Sequence, residues 1–338
     1  MKVCIVNANP EIGDKKSNIK KIKEYIKKEK ADLYIFGEMF LTGYICREEV
    51  FSLAENEKGN SIKEISKISK ENNCNIIFGM PFEGRRGIVY NAGVLVKPNG
   101  INIYKKNFLA NFGPFEEKFY FKQGMDLPVF ETKHCKIGIC ICYDIFFPEL
   151  IKGMVLKGAD LIACISASPS ITKIYFEKVL PARAIENTVY VAYSNLVGEE
   201  NGLVFWGGSQ LYSPKGDLLA RTKEYKEDYI TYDIDFSMLK EARIARPTLR
   251  DTKPDIFLDL YNASKEKKVF NRDVKIGIKM AEKAKNMHIK EIDVYGNEDV
   301  AFGIKLIIPC ERINIFNSEK IKAVFKGEEK IEVKEEDI

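Results

Sequence analysis

The sequence predicts an α/β fold: a four-layer α-β-β-α sandwich with internal pseudo-symmetry, followed by a small β-rich C-terminal appendage. Three observations carry this. Strand-like and helix-like periods alternate along the chain. The order of elements in residues 3–106 recurs in residues 136–222. The strands are near-continuous apolar runs, the pattern of a sheet buried on both faces.

The elements follow in order. VCIVNA (3–8) is a strand. SNIKKIKEYIKKEK (17–30) is a helix: Ser17 is the expected N-cap, and Ile19, Ile22 and Ile26 form one apolar stripe. Its lysines make a solvated face. DLYIFGE (32–38) is the second strand, SIKEISKISKENN (61–73) the second helix and NIIFGM (75–80) the third strand. NAGVLVKPNGINIYKK (91–106) is a strand pair turning at Pro98-Asn99-Gly100.

The second half repeats this. KIGICICYD (136–144) matches the opening strand, and a helix near 148–157 leads to ADLIACISAS (159–168), which mirrors ADLYIFGEMF (31–40). A helix near 173–186 leads to TVYVAYSN (188–195). GGSQLYSPKGDLLART (207–222) mirrors 91–106, with Pro-Lys-Gly at the turn. Repeated βαβ order implies parallel strands and right-handed crossovers. The expected domains are residues 1–265 and a C-terminal extension, 266–338. In the extension, 273–292 holds a charged helix, and AFGIKLIIPC, RINIFN, IKAVFKG and KIEVKEEDI are short β segments.

Composition narrows the function class. Of 338 residues, 45% are hydrophobic and 30% charged, enough apolar material for a large core. A net charge of +4 is too small to indicate a nucleic-acid partner. No apolar run approaches the ~18–20 residues of a membrane span, and the first apolar run is broken by Pro10 and charges before it makes a signal peptide. The expected location is the cytoplasm. Eight cysteines are scattered, without CxxC or zinc spacing, so buried reduced thiols are the expectation and no metal site is.

In open α/β sheets, ligands collect at the carboxyl ends of strands. Glu38, Cys142 and the pair Lys105-Lys106 stand there. Side chains alternate along a strand, which places Cys140 mid-strand and enclosed, while Cys142 ends the strand before a helix with Pro148 in its first turn. A thiol at a strand-to-helix turn faces a cleft, with backbone N–H groups free for an oxyanion. Cys142 is therefore the candidate nucleophile. His134, eight strand residues away, lies about 26 Å off, and His288 falls outside the repeat. The remaining activators are a carboxylate base and a cation, Glu38 and one of the two lysines.

FGEMFLTGY (36–44), YKKNFLANFGPFEEKFYFKQG (104–124) and GICICYDIFFPE (138–149) resemble the three signature regions of the nitrilase, or carbon–nitrogen hydrolase, superfamily. The resemblance runs on through RAIEN, YSN, GGSQLYSPKG and PTLRDTKPDIF, over roughly residues 1–260. It implies a Glu-Lys-Cys triad: Glu38 as general base, Lys106 chosen by the flanking Tyr104, Lys105 and Leu109, and Cys142 as nucleophile. It implies that the Tyr143 N–H supports an oxyanion and that Glu117 is a second glutamate beside the lysine. Tyr44 and Ser168 are candidate substrate-pocket residues, with packing the alternative for both. Phe108 stands where many members carry histidine. KNFLANFGPFEEKFYF is most similar to glutaminase domains of glutamine-dependent NAD synthetases, whereas CYDIFFPE is closer to free-standing amidases.

The implied activity is hydrolysis of a small-molecule, non-peptide amide through a cysteine thioester, with no cofactor and a homodimer or higher homo-oligomer. The alternatives are a glutaminase subunit supplying ammonia to a separate synthetase, and a non-catalytic scaffold.

Overall fold

The computed structural model describes residues 1–337 except 270–271, 285–288, 298–299, 302–303, 305–306, 309–311 and 328–329, and describes the backbone alone at 264–269, 272, 274–275 and 317. His288 and Cys310 lie outside the described residues. The chain divides into two compact units, Met1–Asp251 and Thr252–Ile338.

The first unit opens with β1 (Lys2–Asn7), α1 (Lys15–Lys28), β2 (Leu33–Ile35), α2 (Val50–Leu53), α3 (Asn60–Asn72), β3 (Asn75–Arg85), β4 (Ile88–Lys97) and β5 (Gly100–Lys105). The short α4 (Glu117–Tyr120) and β6 (Val129–Glu131) follow. The repeat then runs β7 (Lys136–Ile141), α5 (Pro148–Leu156), β8 (Leu161–Ser166), α6 (Lys173–Asn187) and β9 (Tyr190–Asn195). A hairpin of β10 (Val197–Glu200) and β11 (Leu203–Trp206) precedes β12 (Gln210–Tyr212), β13 (Leu218–Arg221), β14 (Asp228–Asp233) and α7 (Ser237–Ala245).

Two six-stranded sheets result, ordered β14-β1-β2-β3-β4-β5 and β13-β12-β9-β8-β7-β6. In each, three parallel strands are central: β1, β2 and β3 in one, β7, β8 and β9 in the other. Two antiparallel strands extend one side and a single antiparallel strand the other. The expected sandwich and its internal symmetry are what is found.

Sequence chemistry explains the layers. Ile139 and Ile141 of β7 reach Gly93 of β4, so they fill the space between the sheets. Gly138, one residue out of phase, faces Met154 of α5. In α1, Ile19, Ile22, Tyr25 and Ile26 are buried, each contributing roughly 1.5–3 kcal/mol by leaving water. An Ile22→Asp change would break that face, because the charge has no partner there. The helix begins two residues earlier than expected. Asp14, not Ser17, is its N-cap, accepting the Ser17 N–H at 3.1 Å.

The second unit holds α8 (Pro254–Val269), α9 (Arg272–Ala284) and β15 (Ile289–Gly296), β16 (Arg312–Asn317), β17 (Lys322–Gly327) and β18 (Lys330–Lys334). Residue 265 falls within α8. The four strands form one sheet ordered β16-β15-β17-β18. Its core includes Ile276, Met280, Ile292, Val294 and Phe325. The expected strand over 301–310 differs: Ala301 and Ile304 are helical, and Val300, Ala301, Ile304 and Ile308 are all buried, a spacing that suits a helix better than a strand. Among the described residues, no helix is long and apolar enough to cross a membrane.

Candidate active site

Glu38 follows β2. The chain turns sharply there, with Met39 at φ 53°, and it packs so closely on β3 that a Cβ on Gly79 would stand 2.2 Å from the Met39 nitrogen. Glycine at 79 is thus required for the turn that aims Glu38 inward. Glu38 is fully buried and its carboxylate is held at both oxygens. Oε1 accepts from Asn91 Nδ2 at 2.7 Å and from Lys106 Nζ at 2.7 Å, and Oε2 accepts the Ala167 N–H at 2.9 Å.

Lys106 follows β5 and is fully buried. Gly124 abuts its segment, donating to the Lys106 carbonyl at 2.8 Å, and a Cβ there would meet the Lys105 oxygen at 2.2 Å. Lys106 Nζ also donates to Glu117 Oε1 at 2.7 Å, so one ammonium bridges two carboxylates. Burial alone would lower its pKa, but the charges of Glu117 and Glu38 outweigh it and hold the pKa well above the usual lysine range. The open choice between the two lysines is resolved by geometry. Lys105 points elsewhere, with its Nζ over the Tyr90 ring at 4.4 Å.

Glu117, at the start of α4, completes its shell with the Tyr44 hydroxyl donating to Oε1 at 2.7 Å and the Ala110 N–H donating to Oε2 at 3.0 Å. Burial pushes its pKa up, opposed by the Lys106 charge.

Cys142 follows β7 at φ 46°, a left-handed backbone that costs a non-glycine residue about 1–3 kcal/mol and is typical of functional turns. Simple alternation would put its side chain beside that of Cys140; the strand ends at Ile141, and the thiol instead lies under the charges of Glu38, Lys106 and Glu117. Burial raises its pKa well above the ordinary thiol value, Glu38 adds to that, and Lys106 opposes it. The Ser166 hydroxyl, one step beyond the Ile141–Ile165 pair of β7 and β8, is buried without a completed hydrogen bond and lies against the thiol, which it lowers slightly. Cys140 is enclosed in mid-strand opposite Cys164.

The turn after Cys142 is braced by Asp144, whose role sequence reasoning passed over, and by Arg183. Asp144, fully buried, accepts the Tyr104 hydroxyl at 2.7 Å, the Phe108 N–H at 2.8 Å and the Ile141 N–H at 3.0 Å. Burial raises its pKa to about 6, against the pull of Lys106 and these donors. Arg183 donates through Nε to the Ile145 carbonyl at 2.8 Å and pairs with Glu186 at 3.0 Å. Glu200 accepts the Tyr44 and Ile45 N–H groups at 2.8 and 2.7 Å, pinning the loop that carries Tyr44.

A cavity of about 180 Å³ opens on Cys142. Phe112, Phe115, Tyr143, Phe146, Tyr175 and Phe176 wall it, with Ala110, Pro169 and Thr172. Tyr44 instead lines a separate cavity of about 190 Å³ with Arg47, Glu116 and Glu117. Ser168 is buried, and its hydroxyl is engaged by Thr172 Oγ1 at 2.7 Å and Trp206 Nε1 at 3.3 Å. Phe108 stacks on Phe147 with ring centroids 3.5 Å apart. His134 sits remote from the cluster, its Nε2 3.5 Å from Asp32.

Glu38, Lys106, Glu117 and Cys142 thus converge, with Tyr143 beside them and Tyr44 behind Glu117. The arrangement supplies a thiol to attack, a carboxylate to take its proton and a fixed cation for a developing negative charge.

The carbon-nitrogen hydrolase family model matches residues 2–244. A nitrilase of Pyrococcus abyssi is 35% identical over 252 residues, covering 72% of this chain and 93% of that protein. The glutamine-dependent NAD(+) synthetase of Aquifex aeolicus is 33% identical over 253 residues, covering 72% of this chain but 44% of the synthetase. A solved carbon-nitrogen hydrolase from Helicobacter pylori shares the fold, with a TM-score of 0.72 and 24% identity over 77% of this chain and 98% of that one.

Proposed function

The chain belongs to the carbon–nitrogen hydrolase family, and from that premise we propose that it hydrolyses the amide C–N bond of a non-peptide small molecule through a thioester on Cys142. The observation that carries this reading is the buried Lys106 ammonium, held 2.7 Å from Glu38 and 2.7 Å from Glu117 while their charges act on the Cys142 thiol.

Because burial keeps the resting Cys142 protonated, the nucleophile must be made at the moment of attack. Glu38 takes the Sγ proton as sulfur bonds to the amide carbon. The electron pair moves onto the carbonyl oxygen, where the Lys106 ammonium and the Tyr143 N–H stabilise it, each such donor being worth ~3–4 kcal/mol in the barrier. The oxyanion collapses, the C–N bond breaks, and Glu38 returns the proton to the leaving nitrogen. Glu38 then deprotonates a water that attacks the thioester, and the carboxylic acid departs as the thiol is restored. Glu117 and Asn91 orient the two charged groups. No step calls on a cofactor.

The experiment is intact-mass trapping with a panel of amides. An acyl adduct that maps to Cys142 and is absent from Cys142→Ala is the expected result; turnover that persists in Cys142→Ala would end the proposal. A second reading is supported by the 33% identity to the synthetase of Aquifex aeolicus: a glutaminase that feeds ammonia to a separate enzyme. Ammonia release from glutamine that rises when a synthetase is added would favour it.

We carry forward a cytoplasmic setting and a homodimer or higher homo-oligomer with this proposal. The described cysteines are all free and buried, as suits a reducing compartment. Sedimentation of the purified chain tests the dimer.

A further inference from the structure

We propose that the pocket beside Cys142 selects an uncharged amide whose acyl group is compact and apolar, about one aromatic ring or a short branched alkyl chain in size. The inference rests on the hydrolase reading above and names the substrate class of that site.

Size comes first. The cavity that opens on Cys142 measures about 180 Å³. An apolar cavity of roughly 150 Å³ holds a benzene molecule, so a group of one ring fills the space beside Cys142.

Chemistry comes next. None of the residues lining this cavity carries a charge. Six of them are aromatic, and Phe112 and Tyr175 stand exposed at its rim. The Thr172 hydroxyl is already committed, donating to the Pro169 carbonyl at 2.8 Å and touching Ser168 Oγ at 2.7 Å. The first two charges on α6 are paired with residues of β13 and the loop after it: Lys173 with Glu224 at 2.6 Å, and Glu177 with Arg221 at 2.7 Å. Two of the three Lys106 donors are held by Glu38 and Glu117, and the third serves the carbonyl oxygen in the reaction above, not the rest of the acyl group. Arg47 and Glu116, which have the charge to meet an amino-acid head group, line the other cavity, where Cys142 does not reach.

A carboxylate or ammonium on the acyl group would therefore leave water and find no partner, and such a site rejects it. The acyl group of glutamine carries both charges, and that of succinamate carries a carboxylate. Benzamide, phenylacetamide and isobutyramide carry neither, and ring faces line the space they would enter.

The test measures ammonia release and acyl-Cys142 mass in the full chain for benzamide, phenylacetamide and isobutyramide against glutamine and succinamate. The expected result is a kcat/KM on the order of 100-fold higher for the best uncharged amide than for either charged one. Phe112→Arg, which places a cation at the rim, should cut that ratio at least tenfold. Glutamine or succinamate turned over as fast as the uncharged amides, with an acyl-Cys142 adduct present, would overturn the substrate assignment and leave the hydrolase reading standing. Absence of any adduct and of any ammonia release from all five amides would overturn both.

Discussion

Asp144 accepts the Tyr104 hydroxyl at 2.7 Å. Tyr104 stands two residues before Lys106 and Asp144 two residues after Cys142, so this one bond joins the lysine strand to the nucleophile turn across the two sheets. The same carboxyl also holds the Phe108 and Ile141 N–H groups. A buried carboxyl thus ties together the segments that carry the ammonium and the sulfur. Tyr104→Phe should lower kcat by about tenfold through a lost charge-assisted bond of ~1.5–3 kcal/mol, with KM little changed; steady-state kinetics would show it.

Asp144 also makes stability depend on pH. Its folded pKa of about 6 lies above the unfolded value of ~3.9. Its contribution to stability is therefore fully present below pH ~3.9 and is lost as pH rises through about 6. The two-unit difference corresponds to about 3 kcal/mol. Asp144→Asn removes this titration, so the stability advantage of the native chain over the variant should shrink by about that amount between pH 4 and pH 7. Urea unfolding at both pH values measures it; an advantage that grows with pH would reject the buried, raised carboxyl.

The two neighbouring cysteines should separate cleanly. Cys142→Ala should lose all measurable turnover with its urea midpoint nearly unchanged. Cys140→Ala should keep activity within about threefold and lose ~1–2 kcal/mol of stability, since its sulfur fills core space against Cys164.

Removing the cation tests the charge balance. Lys106→Met leaves Glu38 and Glu117 buried without their shared partner and should cost about 3–5 kcal/mol along with all activity. Adding Glu117→Gln removes one of the stranded charges, so the double variant should be more stable than Lys106→Met alone. Denaturant midpoints of the two variants decide it.

Asn91 donates to the same Glu38 oxygen as Lys106 does. Asn91→Ala should reduce kcat about 10–100-fold, while iodoacetamide labelling of Cys142, followed by peptide mass, continues. That labelling should keep accelerating from pH 7 to pH 9 in the native chain, because burial holds the thiol high.

Much of the sandwich was legible because period and repeat are local properties. The parallel strands, α1, α3, α5 and α6 could each be read from apolar spacing alone. β6 and β14 could not: they are edge strands whose half-exposed residues lack an apolar run, and they exist through pairing with β7 and β1. The positions of Glu38, Lys106 and Cys142 were marked by strand ends and by motif. Asn91 and Glu200 were not, because each acts on groups far away in sequence, and nothing near them announces the partner; for Asp144, two of its three donors lie 40 and 36 residues away. Ser166 was hidden inside an apolar strand. The aromatic wall was visible as residues but not as a wall, since Phe112, Tyr143 and Phe176 come from three separate segments.

The edge strand β14 has a consequence for biosynthesis. It pairs with β1, and Ile234 exchanges hydrogen bonds with Met1, 233 residues earlier in the chain. β1 therefore waits for β14, the last strand of its unit, before its outer edge is covered. At typical elongation rates that delay is on the order of 10–50 s. An uncovered edge of this kind recruits other strands, so nascent chains released before residue 228 should aggregate, and folding should be limited by this long-range closure rather than by any helix.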